Sequence, residues 1–257
     1  MSCARPSGFD AVWPPVAALT PAGAGRRACC GLALLGVAVA AMGGTVPAGD
    51  AAAAPNPDLT ARFRVSLTRR GGASQVQHWQ LGRSDAEITW IKGDGLEEIW
   101  RRDGSGIRLL RVLRPDHHLI DYPAGELRAL QVALNWQELG SLFAEADLPL
   151  LKPKTPARAC QPVRWAGRIG AEQVDLLWDA GARLPVRLVR HSPTGQVLFE
   201  RTALHRIAPA DWPVAGAGTG NFQRLDAADF GDMQDNPVVQ KAQAFDQRAG
   251  WRRAHSD

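Results

Sequence analysis

The histidine pair His117-His118 lies between two aspartates, Asp116 and Asp121. A carboxylate beside a histidine is a pairing used in general acid–base catalysis and in metal binding. Adjacent residues of a strand point to opposite faces, so the two histidines cannot both bind one metal ion from a regular strand. Asp116 and His118 do share a face. A hydrolase would need Asp116, His118 and Asp121 to converge with a distant group, and a surface or structural role is the alternative.

A second set of candidate ligands recurs every third residue near the C-terminus, at Asp226, Asp229, Asp232 and Asp235. On a helix these carboxylates would lie on one side, where they could gather a hard cation such as calcium. Calcium sites usually also take carbonyl ligands from a looped backbone. Solvated acidic residues in a turn-rich tail are therefore the alternative to a site at Asp226, Asp229 and Asp232. No metal is assigned, and no cofactor is predicted.

Tryptophan is abundant, with nine in the chain. Five lie in segments with strand periodicity, at Trp79, Trp90, Trp100, Trp165 and Trp178. Large flat side chains along a concave sheet can hold a ligand by apolar contact and stacking. We expect these five to form a ligand-binding surface, and a core filled by aromatic side chains is the alternative. No G-x-S-x-G elbow accompanies them, so no hydrolase motif is present.

The elements that must position these residues begin with alternating strands. In ARFRVSLTRR, Phe63, Val65 and Leu67 lie on one face and Arg62 and Arg64 on the other, which is the period of a strand with one solvated face. Nine further segments have strand character: QVQHWQLGR, AEITWIK, LEEIWRR, GIRLLRVLRP, HHLIDY, PVRWAGRIG, EQVDLLWD, LPVRLVRHS and QVLFERTALHRI. Glycine-rich turns join most of them. The pattern predicts a mainly β (α+β) fold with a strongly curved antiparallel sheet or half-barrel.

Two regions have helical spacing instead. Apolar residues three and four apart between 123 and 146 predict a helical insert, which Pro149, Pro153 and Pro156 end. Near the C-terminus, Asn236 is a candidate N-cap and Pro237 a first-turn residue of a closing helix. We therefore divide the chain into a leader (1–54), a curved β-sheet domain (55–208) and a linker with a helical tail (209–257).

The leader has the parts of an export signal. Arg26 and Arg27 precede an uncharged stretch that continues to Gly49, and the small residues at 51–54 suit a signal peptidase. A retained membrane anchor is the alternative, although a stretch of Ala and Gly favours a permanent span little. After processing only Cys160 remains of the four cysteines, so no internal disulfide is expected. These features predict a periplasmic protein of Gram-negative type, without a stable transmembrane span.

The charge of the chain is small. It carries 30 Lys and Arg against 26 Asp and Glu, a formal net charge of +4. The arginines are spread along the predicted strands rather than clustered. Binding of nucleic acid needs a basic patch or stripe, so it is not expected.

The segment DLLWDAGARLPVRLVRHSPTGQVLFERTALHRI combines a strand, a short turn, Leu-Pro, a strand, a polar turn and a last strand. With the long meander and the helical insert before it, the chain between Ala61 and Ala208 resembles the periplasmic lipoprotein carriers LolA and LolB and the sensor domain of RseB. The resemblance implies a half-barrel around an apolar cavity, lidded by helices, that shelters acyl chains or a protein partner. It carries no functional residue over to this chain.

These observations lead to one expectation about function. The chain is predicted to be a periplasmic binding or carrier protein, not an enzyme, that holds a hydrophobic, lipid-like ligand or docks a cell-envelope protein. Two alternatives stay open. One is a periplasmic hydrolase that uses Asp and His, and the other is a structural accessory of a cell-envelope complex.

Overall fold

A computed structural model describes residues 58–93, 95–132, 135–156, 161–249 and 251. The predicted leader and Cys160 lie outside the described residues. None of the helices in the described part of the chain has the length and apolar composition needed to cross a bilayer.

Twelve strands of the described residues form one open sheet. They are β1 (Leu59–Arg69), β2 (Ser74–Arg83), β3 (Glu87–Ile91), β4 (Leu96–Asp103), β5 (Gly106–Leu113), β6 (His118–Tyr122), β7 (Leu151–Pro153), β8 (Val163–Ile169), β9 (Glu172–Asp179), β10 (Leu184–Ser192), β11 (Gly195–His205) and β12 (Gln223–Asp226). Their order across the sheet is β12-β6-β5-β4-β3-β2-β1-β11-β10-β9-β8-β7. Neighbours are antiparallel except β12, which pairs parallel with β6.

The predicted fold class is confirmed, with a curved sheet that does not close into a barrel. All ten predicted strands are present, as β1–β6 and β8–β11. Two short edge strands, β7 and β12, are additional. The strand β1 pairs with β11 along most of its length. This pairing joins the two runs of consecutive strands, β1–β6 and β7–β11, in the middle of the sheet, and the two outer edges of the sheet do not meet.

The helical insert consists of short pieces. It contains α1 (Ala124–Ala129), α2 (Trp136–Leu139) and a 3-10 helix at Glu145–Leu150. The side chain of Asn135 caps α2 by accepting hydrogen bonds from the backbone of Gln137 and Glu138. Leu127, Leu139 and their apolar neighbours in the insert turn onto one face of the sheet, which closes that face.

Strand periodicity separates the two faces. In β1, Phe63 and Val65 are buried on the face that carries the main core, and Arg64 between them is exposed on the other. We call the first the inner face and the second the outer face. Register carries the division across the sheet, since Phe63 stands opposite Trp79 and Val65 opposite Phe199.

The C-terminal part of the chain wraps around one edge of the sheet. Residues 206–222, which we call the strap, cross the outer face: Trp212 lies 5.0 Å from the Arg62 guanidinium, and the Gly216 N–H donates to the Glu97 carboxylate at 2.7 Å. The chain then pairs as β12 and continues through a 3-10 helix (Ala227–Gly231) into α3 (Pro237–Arg248). It belongs to the same compact unit as the strands before it.

Gly216 allows the strap to lie close to the sheet. Its φ is +75°, and a Cβ at this position would come within 3.1 Å of the Ile99 side chain. Arg114 binds Glu97 and donates to the Ala217 carbonyl, which fixes the next residue of the strap. A residue with a Cβ at 216 would therefore be strained by the positive φ and would require the Ile99 side chain to shift by a few tenths of an ångström.

Helix α3 begins where the sequence predicts. The side chain of Asn236 accepts hydrogen bonds from the backbone N–H of Val238 at 2.8 Å and of Val239 at 3.4 Å, and Pro237 occupies the first turn. Val239 and Ala242 turn inward and are fully buried. The helix therefore packs its apolar side onto the protein.

We expect Asn236→Ala to lower the free energy of unfolding by about 1 kcal/mol, because two backbone donors lose their acceptor. Urea unfolding followed by circular dichroism measures the change. Asn236→Asp keeps an acceptor at the same place and is the matched control. Equal loss in both variants would show that the cap is not what stabilises the start of α3.

Candidate functional site: the inner face and its cover

The inner face brings the five predicted tryptophans together on one side of the sheet. Trp100 of β4 stands opposite Ile88 of β3, and Trp90 lies two residues after Ile88 on the same face of β3. On the other half, Trp178 stands opposite Val163 and shares the face with Trp165. Four of the five are buried by the rest of the chain, and Trp165 is half-buried. Whether they bind a ligand stays a prediction.

The aromatic side chains of this face contact one another in a connected cluster. The ring centroids of Trp79 lie 6.0 Å from Trp90 and 5.6 Å from Phe199, both edge-to-face, and Phe63 lies 6.2 Å from Trp90. The Trp79 indole N–H donates to the buried Gln77 side chain at 3.0 Å. Edge-to-face contacts of this kind stabilise beyond the area that they bury.

The insert closes over this cluster through side-chain bonds to its backbone carbonyls. The Trp90 indole N–H donates to the Leu139 carbonyl at 2.8 Å. Arg83 donates to the Gly140 carbonyl at 2.6 Å and to the Ala182 carbonyl. Burial is the first cause that lowers the pKa of Arg83, to about 10, and the charge of nearby Arg183 adds to it.

A charged cluster lies at the other half of the inner face. The Arg111 guanidinium, 2% exposed, donates to the Asp246 carboxylate of α3 at 2.7 Å and to the Tyr122 hydroxyl at 3.0 Å. Glu98 lies 3.6 Å from Arg111 and accepts a bond from Lys92 at 3.0 Å. We call these five residues the inner charge cluster.

Burial and charge act against each other in this cluster. Burial alone would raise the pKa of Glu98, but Lys92 and Arg111 hold it below its usual range. Burial would lower the pKa of Arg111, but Tyr122, Asp246 and Glu98 raise it. Burial raises the pKa of the Asp246 carboxyl, and the charge of Arg111 and the hydrogen bonds from Arg111 and Tyr122 only partly oppose this.

Three aromatic rings enclose the Arg111 guanidinium. Its carbon lies 5.1 Å from the ring centroid of Tyr122, 5.2 Å from Trp251 and 5.8 Å from Phe245. Its Nε–H is buried and has no hydrogen-bond partner among the described residues. A cation held among ring faces is attracted by their quadrupoles, so the rings add to the carboxylates that hold Arg111 in place.

The histidine–aspartate group does not come together as a catalytic site. His118 lies on the inner side of β6 and its Nδ1 is 2.5 Å from the Asp116 carbonyl, whereas Asp121 turns to the outer side. The Asp116 carboxylate binds Lys241 at 2.6 Å. These residues therefore hold chain segments together, and within the part of the chain that the structure describes Asp116, His118 and Asp121 do not converge on one point.

The C-terminal aspartates also have local roles. Asp226 ends β12 and caps the following 3-10 helix by accepting from the Ala228 N–H at 2.9 Å. Asp229 and Asp232 are exposed within and after that helix. Among the described residues no group of three or more acidic, histidine or cysteine side chains has the arrangement of a metal site.

Sequence reasoning missed the inner charge cluster. In GIRLLRVL, Arg111 holds an inward position between Leu109 and Leu113, so the alternation itself carried a signal. The partner was beyond reach, because Asp246 is 135 residues away from Arg111.

We expect Arg111→Met to cost about 3–5 kcal/mol of unfolding free energy, since it leaves Asp246 and Glu98 buried with less compensating charge. Asp246→Asn combined with Arg111→Met should cost less than the sum of the single changes, with a coupling of about 1–3 kcal/mol. Urea unfolding measures all three. The control is Arg101→Met, which removes an exposed pair with Glu87 and should cost at most about 1 kcal/mol. Strict additivity of the two inner changes would contradict the pairing.

The outer edge gives a pH-dependent prediction. Partial burial would raise the pKa of Asp121, but hydrogen bonds from Arg224 and Arg108 outweigh it and hold the pKa below its usual range. A lowered carboxyl pKa contributes stability above the unfolded value of about 3.9 that is lost as the pH falls through the folded value. Asp121→Asn should therefore lower the urea midpoint at pH 7 and have a shrinking effect below about pH 4. Asp235→Asn, at an exposed position, is the control, and an effect of Asp121→Asn that does not change with pH would contradict the assignment.

No family model and no curated protein matches the chain. Among solved structures it is similar to a LolA superfamily protein from Nitrosomonas europaea, with 9% identity, a TM-score of 0.31, and coverage of 60% of this chain and 89% of the other. It is also similar to MucB, with 15% identity, a TM-score of 0.32, and coverage of 62% of this chain and 58% of the other.

A MucA/MucB complex from Pseudomonas aeruginosa matches as well, with 15% identity, a TM-score of 0.28, and coverage of 59% and 54%. The chain thus spans little more than half of the MucB chains. These structures include the LolA group that the sequence resembles, and the likeness concerns the fold alone.

Proposed function

We propose that this chain is a binding or carrier protein of the cell envelope whose inner face holds a hydrophobic, lipid-like ligand. One observation carries the proposal. A wide apolar face, with five tryptophans on it, is covered by short helices instead of a second sheet.

The helical insert, which covers the inner face, supports this function because its helices are short. Helix α1 has six residues and α2 has four. Helices of this length are marginal on their own in water, so they keep their place through contacts with the face beneath. A ligand that offers the same apolar contacts, together with an oxygen acceptor for the Trp90 and Arg83 donors that the Leu139 and Gly140 carbonyls now satisfy, can replace them.

Two features of the β8–β9 half favour entry there. Trp165 is only half-buried, so part of the inner face already reaches solvent. The Trp178 indole N–H is buried, has no hydrogen-bond partner in the described part of the chain, and can donate to a ligand oxygen. The ring centroid of Phe143, in the helical insert, lies 6.1 Å from that of Trp178. Movement of the insert would therefore widen the space beside Trp178.

The absence of a convergent acid–base group in the described residues supports binding over catalysis. The carboxylates nearest to His118 are already bound to Lys241, Arg108 and Arg224. The predicted export signal supports a location in the periplasm, where a hydrophobic ligand has to be shielded from water. If the ligand is instead an apolar segment of a cell-envelope protein, we expect it to bind to the same inner face.

We expect the purified protein to bind N-phenyl-1-naphthylamine, an uncharged apolar dye, with a rise in dye fluorescence. Trp165→Ala should weaken this binding several-fold, because it removes an exposed part of the apolar wall. Trp212→Ala is the matched control, since Trp212 packs on the outer face against Arg62. Fluorescence titration measures both, and native mass spectrometry identifies a lipid that co-purifies.

Equal weakening by both tryptophan changes would point to a general loss of structure. A protein that takes up no dye and carries no lipid would contradict the carrier function.

A further inference from the structure

The residues of the inner charge cluster come from two parts of the chain. The sheet region supplies two cations and one anion, Lys92, Arg111 and Glu98, which leaves one positive charge in excess. The compensating carboxylate, Asp246, comes from α3. A buried cation of this kind needs an anion beside it, whichever part of the molecule supplies that anion.

The surroundings of Arg111 suit the head of an amphiphile. Tyr122 of β6 stands 5.1 Å from the guanidinium carbon, and Trp100 of β4 lies on the same inner face, so these two rings of the sheet form an aromatic wall beside Arg111. Phe245 and Trp251 belong to the C-terminal segment and would leave with α3. One guanidinium donor, the Nε–H, meets no acceptor on any residue that the structure describes. An anionic group with two or more oxygens could therefore satisfy Arg111 more fully than Asp246 does.

Helix α3 is held by side-chain contacts, and the apolar tail of a ligand could take over the contacts of its buried residues Val239 and Ala242. Among the described residues, the bonds that tie it to the sheet side run between side chains: Asp246 to Arg111 and Tyr122, and Lys241 to Asp116. Its removal breaks no strand pairing. The residues just before it, from Gly231 to Asp235, are mostly exposed and can serve as a connection.

We propose that the inner face beneath α3 is a binding site for an anionic amphiphile, and that α3 is its built-in occupant. The head group is a carboxylate or a phosphate monoester that pairs with Arg111, and the apolar tail lies along the aromatic wall. While no ligand is bound, the Asp246 carboxylate occupies the position beside Arg111 that the head group of the ligand would take. This inference rests on the proposed function and adds to it the charge of the ligand and the segment that gives way.

The test compares cis-parinaric acid with its methyl ester, which has the same tail and no charge. In the wild-type protein the acid should bind more tightly than the ester. Asp246→Asn should raise the affinity for the acid about tenfold, the equivalent of 1.4 kcal/mol, because Arg111 loses its competing carboxylate. Asp235→Asn, on the exposed connection, should leave both affinities unchanged. Dodecyl phosphate and dodecanoate as competitors then separate the two head groups.

Two further variants keep the test decisive. Arg111→Gln combined with Asp246→Asn removes both charges of the pair, and it should bind acid and ester equally. Asp116→Cys with Lys241→Cys, in a chain whose native cysteines are replaced by serine, permits a reducible bis-maleimide link between α3 and the start of β6. The linked protein should lose binding of the acid and regain it on reduction.

The outcomes separate this inference from the function on which it rests. If neither probe nor the uncharged dye binds any variant, the carrier function itself fails. If acid and ester bind equally and Asp246→Asn changes neither, the anionic site is wrong while the carrier function stands. Unchanged binding in the linked protein would show that α3 does not give way.

Discussion

The positive charge of Arg111 on the inner face is the constraint on which the C-terminal half of the architecture depends. A guanidinium that is 2% exposed cannot stay charged in an apolar core without an anion at hydrogen-bond distance. Glu98 is already engaged by Lys92, so a second carboxylate has to arrive from elsewhere. The chain provides it through Asp246, 135 residues after Arg111, on a C-terminal segment that also buries Val239 and Ala242 against the protein.

The path of that segment brings Asp246 beside Arg111. After β11 the chain is at the centre of the sheet, and the strap leads it over the outer face to the β6 edge. There β12 adds a parallel strand, which Asp121 fastens by binding Arg224. The chain reaches the inner side through the 3-10 helix, where Phe230 is buried and packs edge-to-face on Tyr122 at 6.1 Å, and it continues there as α3. Charged contacts and buried apolar side chains therefore act together along this path.

Much of the fold was accessible from the sequence, since the alternation of apolar residues sets both the strands and their faces. The long strands β1 and β11 and the cap at Asn236 were predictable on those grounds. The edge strands were not, because β7 has three residues and ends at Pro153, and β12 has four residues with little alternation. The charge cluster combines a visible signal at Arg111 with a partner that only tertiary structure brings near. Local pattern cannot supply a contact at that separation.

The two kinds of contact on the inner face also differ in what they demand of an occupant. Aromatic and aliphatic packing is non-directional, so many apolar groups can replace the apolar side chains of the insert, provided that an oxygen also accepts the bond that the Trp90 indole N–H now donates to the Leu139 carbonyl. The Arg111–Asp246 pair is directional, and a buried pair contributes specificity more surely than stability, because desolvation offsets most of its attraction. An occupant of the α3 side must therefore bring a negative charge to a defined point, whereas an occupant of the insert side needs apolar surface and an uncharged oxygen acceptor. The inner face thus combines a permissive half and a selective half, and the selective half is the one that the C-terminal segment covers.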